Sequence, residues 1–170
     1  DKMKSLGCWY DNAKLTIVVN KDSKAKTIGD LKSIGDEYGN TLYGIEAGAG
    51  LTKVTQQSAI PKYGLNNLSF KISSTPAMLS QLKKAADAKR DIAVTLWRPH
   101  WAYGAFPIRD LKDPKKAMGD AEVIYSFARS GFEQDFPKAA QLMRNMAFDD
   151  KTLSDLEDIM FSADKYGGKN

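Results

Sequence analysis

Residues 91–101 read DIAVTLWRPHW. Ile92, Ala93, Val94 and Leu96 make a nearly continuous apolar run, as expected of a strand with both faces covered, and the run ends in Trp97, Pro99, His100 and Trp101. Such strands belong to sheets with helices on their faces. In those sheets ligands sit in the crevice beyond the carboxyl ends of the strands, which puts Trp97 where a side chain meets one.

Upstream, Leu42 to Ile45 reads as a second short strand running into Glu46-Ala47-Gly48-Ala49-Gly50-Leu51. This small-residue loop opens onto a helix from about Thr52 to Tyr63, stopped by Gly64. Lys14 to Asn20, KLTIVVN, is a β-branched strand. Thr27, with Asp30 three residues on and Ile28, Leu31 and Ile34 behind it, predicts a helix that ends at Gly39-Asn40. Leu68 to Ile72 is the next strand, and Ser73-Ser74-Thr75-Pro76 is the cap-then-proline start of a helix over Ala77 to Lys89. Four strands alternating with three helices predict an α/β fold with a parallel or mixed sheet. Downstream, Gly104, Pro107 and Asp113-Pro114 make Tyr103 to Asp120 an irregular connection. Ala121 to Ala128 is a last strand, followed by helices over Phe136 to Ala147 and Leu153 to Phe161, the second capped by Thr152 or Asp150, and by a loose tail from Tyr166.

The chain has 170 residues, enough for one packed domain with a helical appendage, and 42% are apolar. The net charge of +4 comes from 25 basic and 21 acidic residues scattered along the chain, which points to solubility and away from nucleic-acid binding. No apolar run is long enough to cross a bilayer, and Asp-Lys-Met-Lys at the start leads into no hydrophobic signal region, so any export signal is expected to be absent or already removed. A single cysteine excludes an internal disulfide and, with one histidine, argues against a metal site; no cofactor is expected. Leu6-Gly7-Cys8 resembles a lipid-attachment site without the apolar stretch that should precede one, so a partly buried thiol is expected at Cys8.

Two features offer chemistry. Gly48-Ala49-Gly50-Leu51 at a helix start can present unpaired N–H groups to an anion such as a carboxylate, or can be a tight turn with no ligand. Trp97 can supply one wall of a cage for a quaternary ammonium, which has no N–H and is recognised by the ring face, or can be a packing residue. Trp101 and Trp9 read as packing residues, with Trp101 close enough to buttress Trp97. His100 is the one candidate general base, but no serine or cysteine nucleophile motif stands beside it, and a structural histidine is favoured.

Taken together, GIEAGAGL, SSTPAML, VTLWRPHW, RDLKDPKKAMG and AEVIYSFARSGFEQDFPKAAQLM resemble the glycine betaine-binding subunits of osmoprotectant ABC importers. The resemblance covers nearly the whole chain. It implies a type II periplasmic-binding-protein fold, with a mixed, mostly parallel sheet flanked by helices and a C-terminal helical segment. It implies that the amides of Gly50 and Leu51 hold the ligand carboxylate and that Trp97 forms part of the aromatic cage, with Ala49, Ser74, His100 and Trp101 in support. It implies no enzyme, an extracytoplasmic location at the membrane, a membrane permease as partner and a small zwitterion as ligand. Family members have two lobes, and this chain is too short for both. Residues 1–120 are expected to be one α/β lobe and 121–170 a returning strand and C-terminal helices belonging to the partner lobe. Half a protein of this kind is expected to dimerise or exchange its C-terminal helices. A ligand-sensing domain of a regulator on the same fold is the alternative class, and a small hydrolase using His100 a third.

Overall fold

The computed structural model describes residues 2–161; the predicted loose tail from Tyr166 lies outside them. Its axis is β1 (Met3–Asn20), far longer than the KLTIVVN strand predicted. The apolar second half of β1 lies between β4 (Ala93–Arg98) and β5 (Ile108–Asp110), antiparallel to both, with Leu15 opposite Trp97 and Val19 opposite both Ala93 and Arg109. Beyond β4 come β2 (Thr41–Tyr43) and β3 (Ser69–Lys71), each parallel to its neighbour, so the order is β3-β2-β4-β1-β5. The first half of β1 pairs antiparallel with β6 (Glu122–Arg129) through three register shifts. Bulges and Gly7, at φ 119°, interrupt the alternation there, which is why no strand was visible in the sequence.

The sheet is therefore mixed, with most strands running one way as expected: β1 alone is reversed, since β4, β5 and β6 each pair antiparallel with it while β2 and β3 run with β4. Parallel pairing is confined to β3-β2-β4, because β1, β5 and β6 all join antiparallel. Its core is drawn from these strands: Ile17, Val19, Leu42, Val94 and Leu96 are buried, and α3 (Thr75–Asp87) presses Met78, Leu82 and Ala85 onto it from one helix face. Pro76 begins that helix, and the Ser74 hydroxyl caps it by accepting the Ala77 N–H at 3.3 Å.

The helix predicted after Thr27 is instead two 3-10 turns, Ile28–Lys32 and Gly35–Tyr38. Ile28, Leu31 and Ile34 are spaced by three, the period of a 3-10 helix, and glycines at 29 and 35 weaken an α-helix further. Asp30 secures the first turn by accepting the N–H groups of Lys26 and Thr27. The stop is as predicted, with Gly39 and Asn40 both left-handed.

The helix after the glycine loop is continuous but not regular: α1 (Gly50–Val54), a π-turn (Thr55–Ala59) and α2 (Ile60–Tyr63), closed by left-handed Gly64. The Ile60 N–H reaches back five residues to the Thr55 carbonyl just before Pro61, which has no N–H to donate. The connection after Trp101 holds α4 (Ala102–Ala105) as well as β5, a strand too short to show a pattern. The helix predicted from Phe136 is preceded by α5 (Phe132–Asp135) and confined to α6 (Pro137–Asn145). The last helix, α7 (Asp150–Phe161), is capped by neither Thr152 nor Asp150: the Asp149 carboxylate accepts the Thr152 N–H at 2.7 Å. α6 lies on β1, whereas α7 packs back on α4, where a Cβ on Gly104 would stand 3.4 Å from Asp158 Cβ. Cys8 is exposed, not partly buried, because it stands opposite Tyr125 in the two-stranded ribbon of β1 and β6.

Candidate functional site

Because β3, β2 and β4 are parallel, their carboxyl ends share one edge, and the three segments leaving that edge are tied to one another. Gly44 donates its N–H to the Lys71 carbonyl at 2.8 Å, and the Ser73 hydroxyl donates to the Gly44 carbonyl at 3.0 Å. The Glu46 carboxylate accepts both the N–H and the hydroxyl of Thr75, at 2.7 and 2.9 Å. Those hydrogen bonds hold the Glu46 carboxyl below its ordinary range. Glu46 thus meets the anion preference of the α3 N-terminus from within the chain. Ser74, whose hydroxyl caps the same helix, is a structural residue of this edge.

The start of α1 differs. Ala49 is extended (φ −72°, ψ 141°) and has no side-chain oxygen, so the first amides of the helix receive no side-chain cap. Gly50 is exposed, and a Cβ added to it would meet nothing within 4 Å. Its backbone is not left-handed, so neither the turn nor the packing requires glycine there. Leu51 is buried, fixing the amide pair to the core.

Trp97 ends the buried run of β4 half-buried and lines a cavity of about 600 Å³, together with Leu15, Val54, Met118, Ile124 and Glu157. Val54 is the last residue of α1. The structure therefore brings Trp97 and α1 to one cavity, while Gly50 and Leu51 stand one helical turn away and do not line it. His100 meets Trp97 edge-on at 4.6 Å between centroids and stacks on Trp101 at 5.6 Å, so Trp101 buttresses Trp97 through the histidine and not directly. Trp101 rests in turn on Phe106, and Trp9 packs edge-on against Phe148. His100 is buried, its Nδ1 accepts the Ala102 N–H at 3.1 Å, and desolvation lowers its pKa to about 4. Its ring is neutral at pH 7 and its Nδ1 is occupied, which is the structural role that the sequence favoured.

A polar cluster beside Trp97 was not legible in the sequence. Arg98 donates from Nε to Asp110 at 2.8 Å and lies over the Tyr103 ring at 3.7 Å. The Tyr103 hydroxyl donates to the other Asp110 oxygen at 2.7 Å, and Lys14 Nζ lies 3.4 Å from Asp110. Burial and Asp110 together push the Tyr103 hydroxyl far above its ordinary pKa. Arg98 Nη1 also stands 3.7 Å from Asp150, at the head of α7, whose carboxylate accepts Tyr10 Oη at 2.8 Å and Asn12 Nδ2 at 2.9 Å. These residues come from β1, β4, α4, β5 and α7, and only an antiparallel partner for β4 puts Lys14 opposite Arg98. No spacing in the chain signals that pairing.

The model of the substrate-binding domain of ABC-type glycine betaine transport systems matches residues 1–165. The chain belongs to that family. Among curated members it is 40% identical over 131 residues to the glycine betaine/carnitine transport binding protein GbuC of Listeria monocytogenes serotype 1/2a (strain 10403S), covering 76% of this chain and 42% of the relative. Among solved members it is similar to the glycine/betaine/L-proline-binding protein ProX of Borrelia burgdorferi, with a TM-score of 0.73 and 34% identity over 99% of this chain and 62% of that one. It is also similar to lactococcal OpuAC in its closed conformation with glycine betaine, with a TM-score of 0.72 and 28% identity over 99% of this chain and 63% of that one. The binding-protein fold is thus a family property of this chain, which spans less than two thirds of the length of these relatives. Among the described residues no helix is long and apolar enough to cross a membrane.

Proposed function

We propose that the chain is the ligand-binding lobe of the substrate-binding component of an ABC importer for glycine betaine or a related quaternary-ammonium osmoprotectant. The observation that carries this reading is the pairing of a half-buried Trp97 face with α1 at one cavity, beyond the carboxyl end of β4. The ring gives a quaternary ammonium the negative face it needs, at about 0.5 to 2 kcal/mol per good contact. The carboxylate of the same ligand goes to the Gly50 and Leu51 amides, where a helix start without a side-chain cap and the absence of Cβ leave room for an anion. His100 and Trp101 hold the Trp97 ring in place from behind, and Ala49 sets the approach to the amides.

In this reading nothing is catalysed. The component works outside the cytoplasm, held at the membrane, and delivers a small zwitterion to its permease. Residues 1–120 act as one lobe; the ribbon of β1 and β6 with its helices leads toward the other, and Val123, Tyr125 and Phe127 on the open face of β6 are where its apolar surface packs. Closure of two lobes over the ligand completes the cage. The test is calorimetry with glycine betaine on the complete two-lobed protein and on its Gly50→Val variant. Loss of binding with an unchanged melting temperature supports the reading; equal affinity in variant and parent removes the carboxylate from this loop.

A further inference from the structure

We propose that Glu157, on α7, is a specificity-determining residue of the Trp97 cavity, favouring cations that carry no carboxylate over zwitterions. The proposal rests on the reading of Trp97 as a cage wall. Glu157 lines the cavity together with Trp97 and Val54, and its carboxylate accepts the Trp101 backbone N–H, which fixes it beside the Trp97, His100 and Trp101 rings. The other charged groups lining the cavity are Lys14, Arg98, Asp120 and Glu122. Lys14 and Arg98 are both engaged by Asp110, at 3.4 and 2.8 Å, and Asp120 is paired with Lys116 at 2.6 Å. Glu122 is exposed at the start of the edge strand, where solvent screens it.

Glu157 is therefore the half-buried carboxylate at this cavity that no lysine or arginine among the described residues neutralises. Burial raises its carboxyl pKa, against the Trp101 backbone N–H, which lowers it. A quaternary ammonium in the cavity supplies a counter-charge without a hydrogen bond, at a range where a partly buried pair is little screened. A ligand with its own carboxylate a few bonds from the nitrogen is repelled by Glu157 at one end as it is attracted at the other. Its net gain is smaller.

The test is a titration of the protein with tetramethylammonium and, separately, glycine betaine, read from the Trp97 indole N–H resonance, for the parent, Glu157→Gln, Glu157→Asp and Trp97→Ala, the last read from neighbouring backbone amides. The expected result is about tenfold weaker tetramethylammonium binding in Glu157→Gln, with betaine changed less than about threefold and Glu157→Asp close to the parent. Equal tetramethylammonium affinity in Glu157→Gln and parent, with binding lost in Trp97→Ala, overturns the role of Glu157 and leaves the cage wall standing. No response of the parent to tetramethylammonium overturns both. A changed melting temperature in Glu157→Gln passes the decision to Glu157→Asp, whose retained charge preserves tetramethylammonium affinity under the proposal and has no reason to if the residue is only structural.

Discussion

Trp97, His100 and Trp101 touch in one continuous row, edge-on and then stacked, yet the three rings do different work. In the complete two-lobed protein Trp97→Ala is expected to weaken betaine binding by about 1 to 3 kcal/mol, and Trp97→Phe by less, because a phenyl ring keeps part of the negative face. Trp101→Ala is expected to lower the melting temperature and leave affinity near the parent's. Calorimetry and thermal melts on the same samples separate the two, and dominance of Trp101 in affinity would reverse the assignment. His100 has a pH signature. Its pKa falls from an ordinary 6.5 in the unfolded chain to about 4 when buried, so the unfolded state binds the proton more readily. Stability from this residue is complete above pH 6.5 and is lost as pH drops toward 4, by up to about 3 kcal/mol. Urea unfolding at pH 7 and pH 4.5 should show that loss in the parent and a smaller one in His100→Gln; identical losses would mean that His100 titrates normally in the fold. Trp97 and Gly50 were legible as candidates because ring chemistry and a missing Cβ are properties of single residues. Arg98, Asp110 and Glu157 were not, since a charged side chain in a sequence reads as a solvated one until its neighbours are known.

At the scale of elements, the strand-helix alternation was readable wherever an apolar face has a regular period, as in β4 and α3. It failed where the period was borrowed from elsewhere. The first half of β1 is polar and bulged and is a strand only because β6 pairs with it, and β5 is three residues held by β1. The reversed direction of β1 was hidden for the same reason, since local pattern does not reveal the direction of a distant partner. α7 is attached at both ends. Its head is tied by Asp150 to Tyr10 and Asn12, and although burial opposes ionisation, those hydrogen bonds keep the Asp150 carboxyl below its ordinary range. Its middle lies close to Gly104. Gly104→Ala should be tolerated, because the new Cβ reaches ordinary contact at 3.4 Å, whereas Gly104→Leu should lift α7 from α4 and speed amide exchange along Asp150–Phe161. Unchanged exchange in the leucine variant would show that α7 is held mainly by Asp150.

At the level of the whole molecule, the proposed site is half of a closing one. One cage wall and one set of helix amides, open to water, act in a high effective dielectric that weakens both contacts. Affinity of the 170-residue chain for glycine betaine should be millimolar or weaker, and its open β6 face, with Tyr125 and Phe127 about half exposed, should drive self-association visible by sedimentation velocity. The most direct measurement is a two-dimensional amide NMR titration of the chain with glycine betaine. The expected shifts concentrate at the Gly50 and Leu51 amides and the Trp97 indole and grow without saturation through the low millimolar range. Saturation at micromolar ligand, or shifts that leave those three groups untouched, would contradict the proposed half-site.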